Sequence, residues 1–400
     1  MAKRKTIARR PRKPRPQNRR KPSIDFSVTG LIYSTMMMFI GLAAVNTQAN
    51  LLFGVFGLMI GILIVSFLIS GLVIRKLRIE RVLPDHAIVG RPSVFHYNIT
   101  NEKRFWPSLS VTVAEVDELD AFARAPQAYV LHAANRNTAS VPAEIFPLRR
   151  GLFEFNRYQL STSFPFGFIK RAIDSKKRDA ILVLPAIGTM SRELIRRFKS
   201  AQSSGMNVRP RSGGDDEFFG VREYRNGENP RRIYWKRSAG AGPLVVKDMT
   251  KVAPPKVLVL VDTYRTEKTV EAYAAVEKAI AAAATVIDTC LAHELPVGMA
   301  VWSDGWINVE PGRGKRHRVD LLASLGKLPS NRRHDRSALI DKSRSLIKHD
   351  TTAVIVGTAG GRTADIPTGR GGFIVLGHDE IGRNFQFDPA IDFSLGWTGD

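Results

Sequence analysis

From Phe26 to Ile74 the chain carries no ionisable side chain except the phenol of Tyr33. A run of that length constrains the fold more than any other feature of the sequence. It divides at Asn46-Thr47-Gln48-Ala49-Asn50 into two apolar stretches, Val28–Val45 and Leu51–Ile74. About 20 residues rising 1.5 Å each cross the ~30 Å hydrocarbon core of a bilayer, so both stretches are long enough. The polar break is too short for a domain and reads as the turn of a helical hairpin. Residues 26–75 are therefore expected to form two transmembrane helices. Thr47 and Ala49 have the small side chains that a signal-peptidase site accepts. However, the first stretch exceeds the ~7–15 apolar residues of a signal peptide, and a second follows at once. The run reads as an anchor.

Charge sets the orientation. The chain holds 60 Lys and Arg against 37 Asp and Glu, a formal net charge of +23. Eleven of the cations lie within residues 1–22, which contain no acid but include Pro11, Pro14, Pro16 and Pro22. Such a segment cannot bury a core, and residues 1–25 are expected to be a disordered basic tail. Arg75, Lys76, Arg78 and Arg81 follow the second stretch, and the hairpin turn is uncharged. The positive-inside rule then places both termini in the cytoplasm of a two-pass inner-membrane protein. Each tail cation beside anionic lipid contributes about 1 kcal/mol of attraction. A nucleic-acid arm is the other reading of a basic run, and the hairpin that follows disfavours it. The lone cysteine, Cys290, excludes an intramolecular disulfide and hence a disulfide-stapled secreted scaffold.

Beyond the anchor the pattern changes twice. Over residues 76–190 it has period two: Phe95, Tyr97 and Ile99 alternate with His96, Asn98 and Thr100, and Leu109, Val111 and Val113 with Ser110, Thr112 and Ala114. Turn signals such as Gly90-Arg91-Pro92 separate these runs, which predicts a small antiparallel β-sandwich. Ser200–Asp215, rich in Ser, Gly and Arg, reads as a linker within a segment 191–255. From Lys256 a third grammar begins. Val257–Val261 is a continuous apolar run of the kind a buried parallel strand needs, and it ends at Asp262. The helical spacing of Val270, Tyr273, Val276, Ile280, Ala283, Ile287 and Leu291 predicts a helix over Thr269–His293. Strands are expected at Val297–Trp302, Trp306–Glu310, Thr352–Val356 and Phe373–Leu376, with helices near Arg318–Leu325 and Asp335–Lys348. Residues 256–400 thus read as an open α/β sheet with helices on both faces. Asp262 then stands at the carboxyl end of a strand, where such sheets bind ligands.

Asp215–Asp248 is the most distinctive stretch. Gly220-Val221-Arg222-Glu223-Tyr224 is followed by Gly227, Arg231, Ile233, Trp235 and Lys236. With Arg150-Gly151-Leu152, Pro165-Phe166-Gly167 and Leu184-Pro185, this pattern resembles the domain-of-unknown-function family 58. Two positions depart from it: Glu228-Asn229 stands where an acid usually follows the glycine, and Gly240 where an Arg is common. The resemblance implies a membrane-anchored chain ending in a von Willebrand factor A-like α/β domain. It also implies genomic association with a MoxR-type AAA+ ATPase, and no established enzymatic activity. The expected role is a non-enzymatic adaptor in the maturation of envelope or other complexes. Arg222, Glu223, Tyr224, Gly227, Arg231, Trp235 and Lys236 would form either a buried ion-pair network or a partner-docking surface, with Trp235 and Tyr224 as aromatic anchors.

The chemistry of these residues leaves one alternative, a membrane-bound metal-dependent hydrolase. Mg²⁺-binding von Willebrand A domains use Asp-x-Ser-x-Ser after the first strand. This chain has Asp262-Thr263-Tyr264-Arg265-Thr266, in which Asp262 and Thr266 could coordinate a weak, degenerate site. Asp216, Glu223 and Lys236 resemble the acid-acid-lysine set of metal-dependent nucleases without their tight spacing. No cofactor is expected otherwise. The eight histidines form no His-x-x-x-His or Cys-His cluster, and no Walker loop or Gly-x-Ser-x-Gly elbow occurs. Cys290 reads as a packed thiol.

Overall fold

The computed structural model describes residues 23–117, 120–204, 212–225, 229–240, 242–250, 256–265, 267–348, 351–358 and 373–397. The chain forms two compact units, Met1–Val183 and Leu184–Asp400.

The first unit begins with strand β1 (Ser23–Phe26) and the apolar helices α1 (Val28–Thr47) and α2 (Asn50–Ile74). Strands β2 (Leu77–Val82), β3 (Ala87–Ile88), β4 (Ser93–Asn101), β5 (Ser108–Glu115), β6 (Gln127–Ala133), β7 (Thr138–Ile145), β8 (Gly151–Thr162) and β9 (Ile169–Leu184) follow. They make a larger sheet in the order β1-β9-β8-β5-β6, with β3 also on β9, and a smaller antiparallel sheet β2-β4-β7. The alternation read from the sequence sets which side chains meet. Phe95, Tyr97 and Ile99 of the small sheet and Val111, Val113, Phe155 and Ile181 of the large one are all at most 1% exposed. The Phe95 and Phe155 rings lie 6.1 Å apart and join the two layers. Burying each such side chain contributes about 1.5–3 kcal/mol.

A polar crosspiece runs through that core. Arg81 of β2 donates from Nε and Nη2 to the two carboxylate oxygens of Glu115 on β5, at 2.8 and 2.7 Å. Its Nη1 reaches Asp179 on β9 at 3.0 Å, and the Tyr97 hydroxyl donates to Glu115. Neither the Arg81 nor the Glu115 side chain has any exposed surface. A second carboxylate repairs an irregularity in β8: Asp117 accepts from the backbone N–H groups of Asn156 and Arg157 at 2.6 and 2.9 Å, where the β8–β9 register slips.

The two N-terminal helices are long and apolar enough to cross a membrane. Their outward side chains are those water disfavours: Leu31, Phe39, Leu42, Leu51, Leu58 and Leu68 are between 58% and 79% exposed. Such a surface is compatible with membrane insertion. Both ends of the hairpin run directly into the β-unit. The Ser27 N–H donates to the Phe168 carbonyl at 3.0 Å. At the other end Lys103 donates from Nζ to the α2 carbonyls of Leu72 and Val73 and to the Ser108 hydroxyl, at 3.0, 2.7 and 2.5 Å. A cation there meets the negative end of the helix dipole. Burial pushes the Lys103 ammonium down to about 8.

Two expectations are corrected here. Ser23–Asp25 belong to β1 rather than to a disordered tail, because the β9 edge offers unpaired backbone groups and Ser23↔Ala172 to Phe26↔Ile169 pair with it. The first unit also ends at Val183 rather than after residue 190. Residues 1–22 lie outside the described residues.

The second unit contains β10 (Thr189–Met190), α3 (Arg192–Ser204), β11 (Ser212–Glu223), α4 (Trp235–Ser238) and β12 (Val245–Thr250). An α/β layer follows: β13 (Lys256–Val261), α5 (Val270–Ala292), β14 (Val297–Trp302), β15 (Trp306–Gly312), α6 (Lys315–Gly326), α7 (Arg336–Ser343), β16 (Thr351–Val356), β17 (Phe373–Leu376), α8 (His378–Asn384) and β18 (Phe385–Gln386). The Ser200–Asp215 linker is corrected at both ends. Ser200–Ser204 continue α3, and Ser212–Asp215 fall within β11, in an irregular stretch where Ser212 and Glu217 both stand opposite Thr250 of β12.

The main sheet has the order β15-β14-β13-β16-β17, parallel except for the returning edge strand β15. Helix α5 starts at Thr269, whose hydroxyl accepts from the Ala272 N–H, and its run from Ala279 to Ile287 is fully buried. On one sheet face Leu258, Leu260, Ala300 and Ile355 pack with Leu339 and Ile340 of α7. Connections leave β13 toward β14 on one side, and β16 lies on the other. The strand order therefore reverses between β13 and β16, which is where an open α/β sheet leaves a crevice at its carboxyl edge.

Candidate functional site

Two places in the second unit carry the residues singled out by sequence. The first is a strand ribbon. β11 and β12 pair antiparallel, Glu223 opposite Val245 and Arg222 opposite Val246. After the pair diverges, Asn229 accepts from the Arg231 N–H at 3.1 Å and starts a 3₁₀ turn at Pro230, which needs no N–H there. Asn229 thus does, as a neutral cap, what an acid at this point would do. The chain then returns to the ribbon: Ile233 bridges Val246, and the Tyr234 N–H donates to the Val245 carbonyl at 2.8 Å. Ser238 closes the turn, its hydroxyl accepting from the Val245 N–H at 3.0 Å. Ile233 and Val246 form a small apolar centre, 7% and 1% exposed. The Lys247 ammonium sits 4.9 Å from the centre of the Tyr234 ring.

Ile233 and Trp235, two residues apart, therefore face different surroundings. Ile233 points inward, and Trp235 is 62% exposed. Glu223, Arg231 and Lys236 are exposed, while Arg222 and Tyr224 are half-buried. The ribbon brings Glu223, Arg231, Trp235 and Lys236 to the surface as separate side chains. A buried ion-pair network would need those charges enclosed, and they are not. Gly227 lies outside the described residues, as does the side chain of Asp216. Gly240 is exposed beyond α4.

The second place is the carboxyl end of β13. Asp262 is 3% exposed; its N–H donates to the Val356 carbonyl at 2.8 Å, and its Oδ1 accepts from the Tyr264 N–H at 2.9 Å. Gly357, following β16, leaves just enough room, since a methyl group there would sit 2.7 Å from the Asp262 Cβ. Burial pushes the Asp262 carboxyl up to about 6, against the Tyr264 N–H and the positive charge of Arg336. A perturbed carboxyl at a sheet switch point is the usual mark of a site. Asn331 closes the crevice floor, donating to the Thr263 hydroxyl at 2.8 Å and the Trp302 carbonyl at 3.2 Å. It also accepts from the His334 N–H at 2.9 Å. Nothing in the sequence marks Asn331: it stands in a loop with no periodicity, and only the closed fold brings it against Thr263. Arg265 lies over the Trp397 ring at 4.8 Å.

Mg²⁺ needs several hard oxygen donors in octahedral array. Here Asp262 supplies one carboxylate already engaged by a backbone N–H, and the Thr263 hydroxyl already accepts from Asn331. The Asp335 carboxyl caps α7 by accepting from the Ala338 N–H. Thr266 lies outside the described residues. Among the described residues no three His, Cys, Asp or Glu side chains assemble as a metal cluster. Of the Asp262 and Thr266 pair, the described residues thus supply only the Asp262 carboxylate, with Oδ1 engaged by the Tyr264 N–H. Cys290 is buried in α5, and burial pushes its thiol up to about 12, so it is no nucleophile at neutral pH.

Residues 220–359 match the family described as protein of unknown function DUF58. The match runs from the ribbon through β16 and supports membership in that family. Comparison with curated proteins gave no match.

Proposed function

We propose that this DUF58 chain is a membrane-anchored, non-enzymatic interaction protein that offers its β11–β12 ribbon to a MoxR-type AAA+ ATPase. The observation that carries this reading is Trp235. A large aromatic side chain held 62% exposed on a pinned 3₁₀–helix turn, flanked by exposed Arg231 and Lys236, has the composition of an interface anchor. The strand order with its reversal between β13 and β16 supports a von Willebrand factor A-like domain, and the engaged donors at Asp262 favour a recognition module over a hydrolase. Orientation rests on charge. The eleven tail cations and the Arg75-Lys76 pair favour a hairpin with both ends in the cytoplasm. The pairing of β1 with β9 and of β2 with β4 supports both ends emerging on one side.

The test is affinity purification of full-length protein from crosslinked membranes with ATP present. An AAA+ ATPase is expected with the wild type and is depleted about tenfold or more by Trp235→Ala, the loss of a hot-spot aromatic. Purifications that consistently contain no AAA+ ATPase, or recover it equally from Trp235→Ala, refute the reading.

A further inference from the structure

We propose that Arg171 and Arg75 form a binding site for the phosphate of an anionic phospholipid at the end of α2. Arg171, on β9, is 9% exposed although it carries a fixed charge. Its guanidinium lies over the Phe67 ring of α2 at 4.8 Å and against Gly71, where a methyl group would sit 2.7 Å from Nη1. Its Nε is buried and has no hydrogen-bond partner. Among the described residues no carboxylate pairs with it. The charge acting on it is a like one: burial first, and then Arg75, hold the Arg171 guanidinium below its ordinary value. A buried guanidinium with an unused donor, packed on the last turns of α2 that Arg75 caps, is a site complete except for its anion. Arg is the side chain best shaped to grip phosphate oxygens.

Position identifies the source of that anion. Helix α2 has 25 residues, about 37 Å at 1.5 Å each, against a hydrocarbon core of ~30 Å. The helix exceeds that core by about 7 Å, so its end from about Gly71 onward reaches the head-group layer, with Phe67 one turn deeper. Phe105 and Trp106, 75% and 63% exposed, follow Lys103, whose Nζ is bound to the α2 carbonyls of Leu72 and Val73. Exposed aromatic rings at that level belong to the bilayer interface. A phosphate held there belongs to a lipid. This inference rests on the reading of the helices as a membrane anchor, and it concerns a built site, separate from the diffuse attraction of the tail.

The experiment titrates detergent-solubilised full-length protein, and a chain lacking residues 1–22, with phosphatidylglycerol, phosphatidylcholine and inorganic phosphate. Thermal shift and native mass spectrometry provide the readouts. Phosphatidylglycerol is expected to bind and stabilise both chains, with the other two probes inactive. Arg171→Gln is expected to weaken phosphatidylglycerol binding about fivefold or more, the worth of one cation at an anionic surface, and Arg171→Lys less. Should Arg171→Gln fail to fold, the exposed Arg75→Gln gives the same readout. Equal effects of phosphatidylcholine or inorganic phosphate, unchanged binding in the variants, or loss of all binding with residues 1–22 would overturn the site. Alkaline extraction of membranes separates the two failures. A chain released by alkali refutes the anchor, while a retained chain without phosphatidylglycerol preference refutes only the site.

Discussion

Replacing Asp262 by Asn should stabilise the second unit. The carboxyl is 3% exposed and lifted from 3.8 to about 6 chiefly by burial. Each pKa unit corresponds to 1.36 kcal/mol, so holding the ionised form at pH 7 costs about 3 kcal/mol. Asn keeps the oxygen that accepts from the Tyr264 N–H, but its new amide needs an acceptor, which reduces the expected gain to about 2 kcal/mol. For a unit of this size that is a rise in Tm of about 4–8 °C. The sign with pH is fixed by linkage. Folded Asp262 binds a proton more tightly than the unfolded chain does, so wild-type stability falls as pH rises from about 4 through 6. The advantage of Asp262→Asn should therefore be near zero at pH 4, grow to pH 6 and level off above it. Differential scanning calorimetry of full-length protein in detergent measures this directly. A variant that melts lower than wild type at pH 7, or a difference of equal size at pH 4 and pH 7, would refute the argument.

The remaining predictions concern the first unit. Glu115→Gln leaves the fully buried Arg81 guanidinium undercompensated and should cost about 3–5 kcal/mol, whereas Arg81→Met with Glu115→Leu should cost less than the single change; urea unfolding of the three proteins gives the comparison. Asp117 stays below the usual carboxylate range: burial opposes this, and the N–H groups of Arg157 and Asn156 outweigh it. Its contribution is present above about pH 4 and lost as pH falls below that, so wild-type and Asp117→Asn melting temperatures should converge in acid. Protease added outside spheroplasts should leave the region beyond Arg75 intact, and protease added to inverted vesicles should digest it; the reverse pattern overturns the assigned orientation.

Much of this architecture is legible in the sequence because single-residue periodicity encodes it. The hairpin is readable because two uncharged stretches long enough to cross a bilayer flank a short polar break, and the helices end within a few residues of the expected limits. Phe95, Tyr97 and Ile99 share a buried face because strand side chains alternate with no exception until a bend. Val257–Val261 and Val297–Trp302 are readable because a strand covered on both faces is apolar throughout. What escapes is structure supplied by a distant partner. Ser23–Phe26 become a strand only because β9 presents an edge. The glycine- and acid-rich start of β11 carries no strand periodicity of its own, and it lies between Ser212 and Glu217, which both stand opposite Thr250 of β12. At the candidate sites the position of Asp262 follows from the strand that precedes it, and the outward turn of Trp235 could not be told from an inward one. Asn331, and the two sheets that bury Arg81 with Glu115, depend on contacts between segments far apart in the chain.

A photo-crosslinking amino acid placed at position 235, with the exposed sandwich position Leu152 as control, reports most directly on the surface that recognises a partner. Irradiation of intact membranes with ATP is predicted to join position 235 to an AAA+ ATPase and position 152 to none. Crosslinks to that ATPase from both positions alike, or from neither, contradict the account.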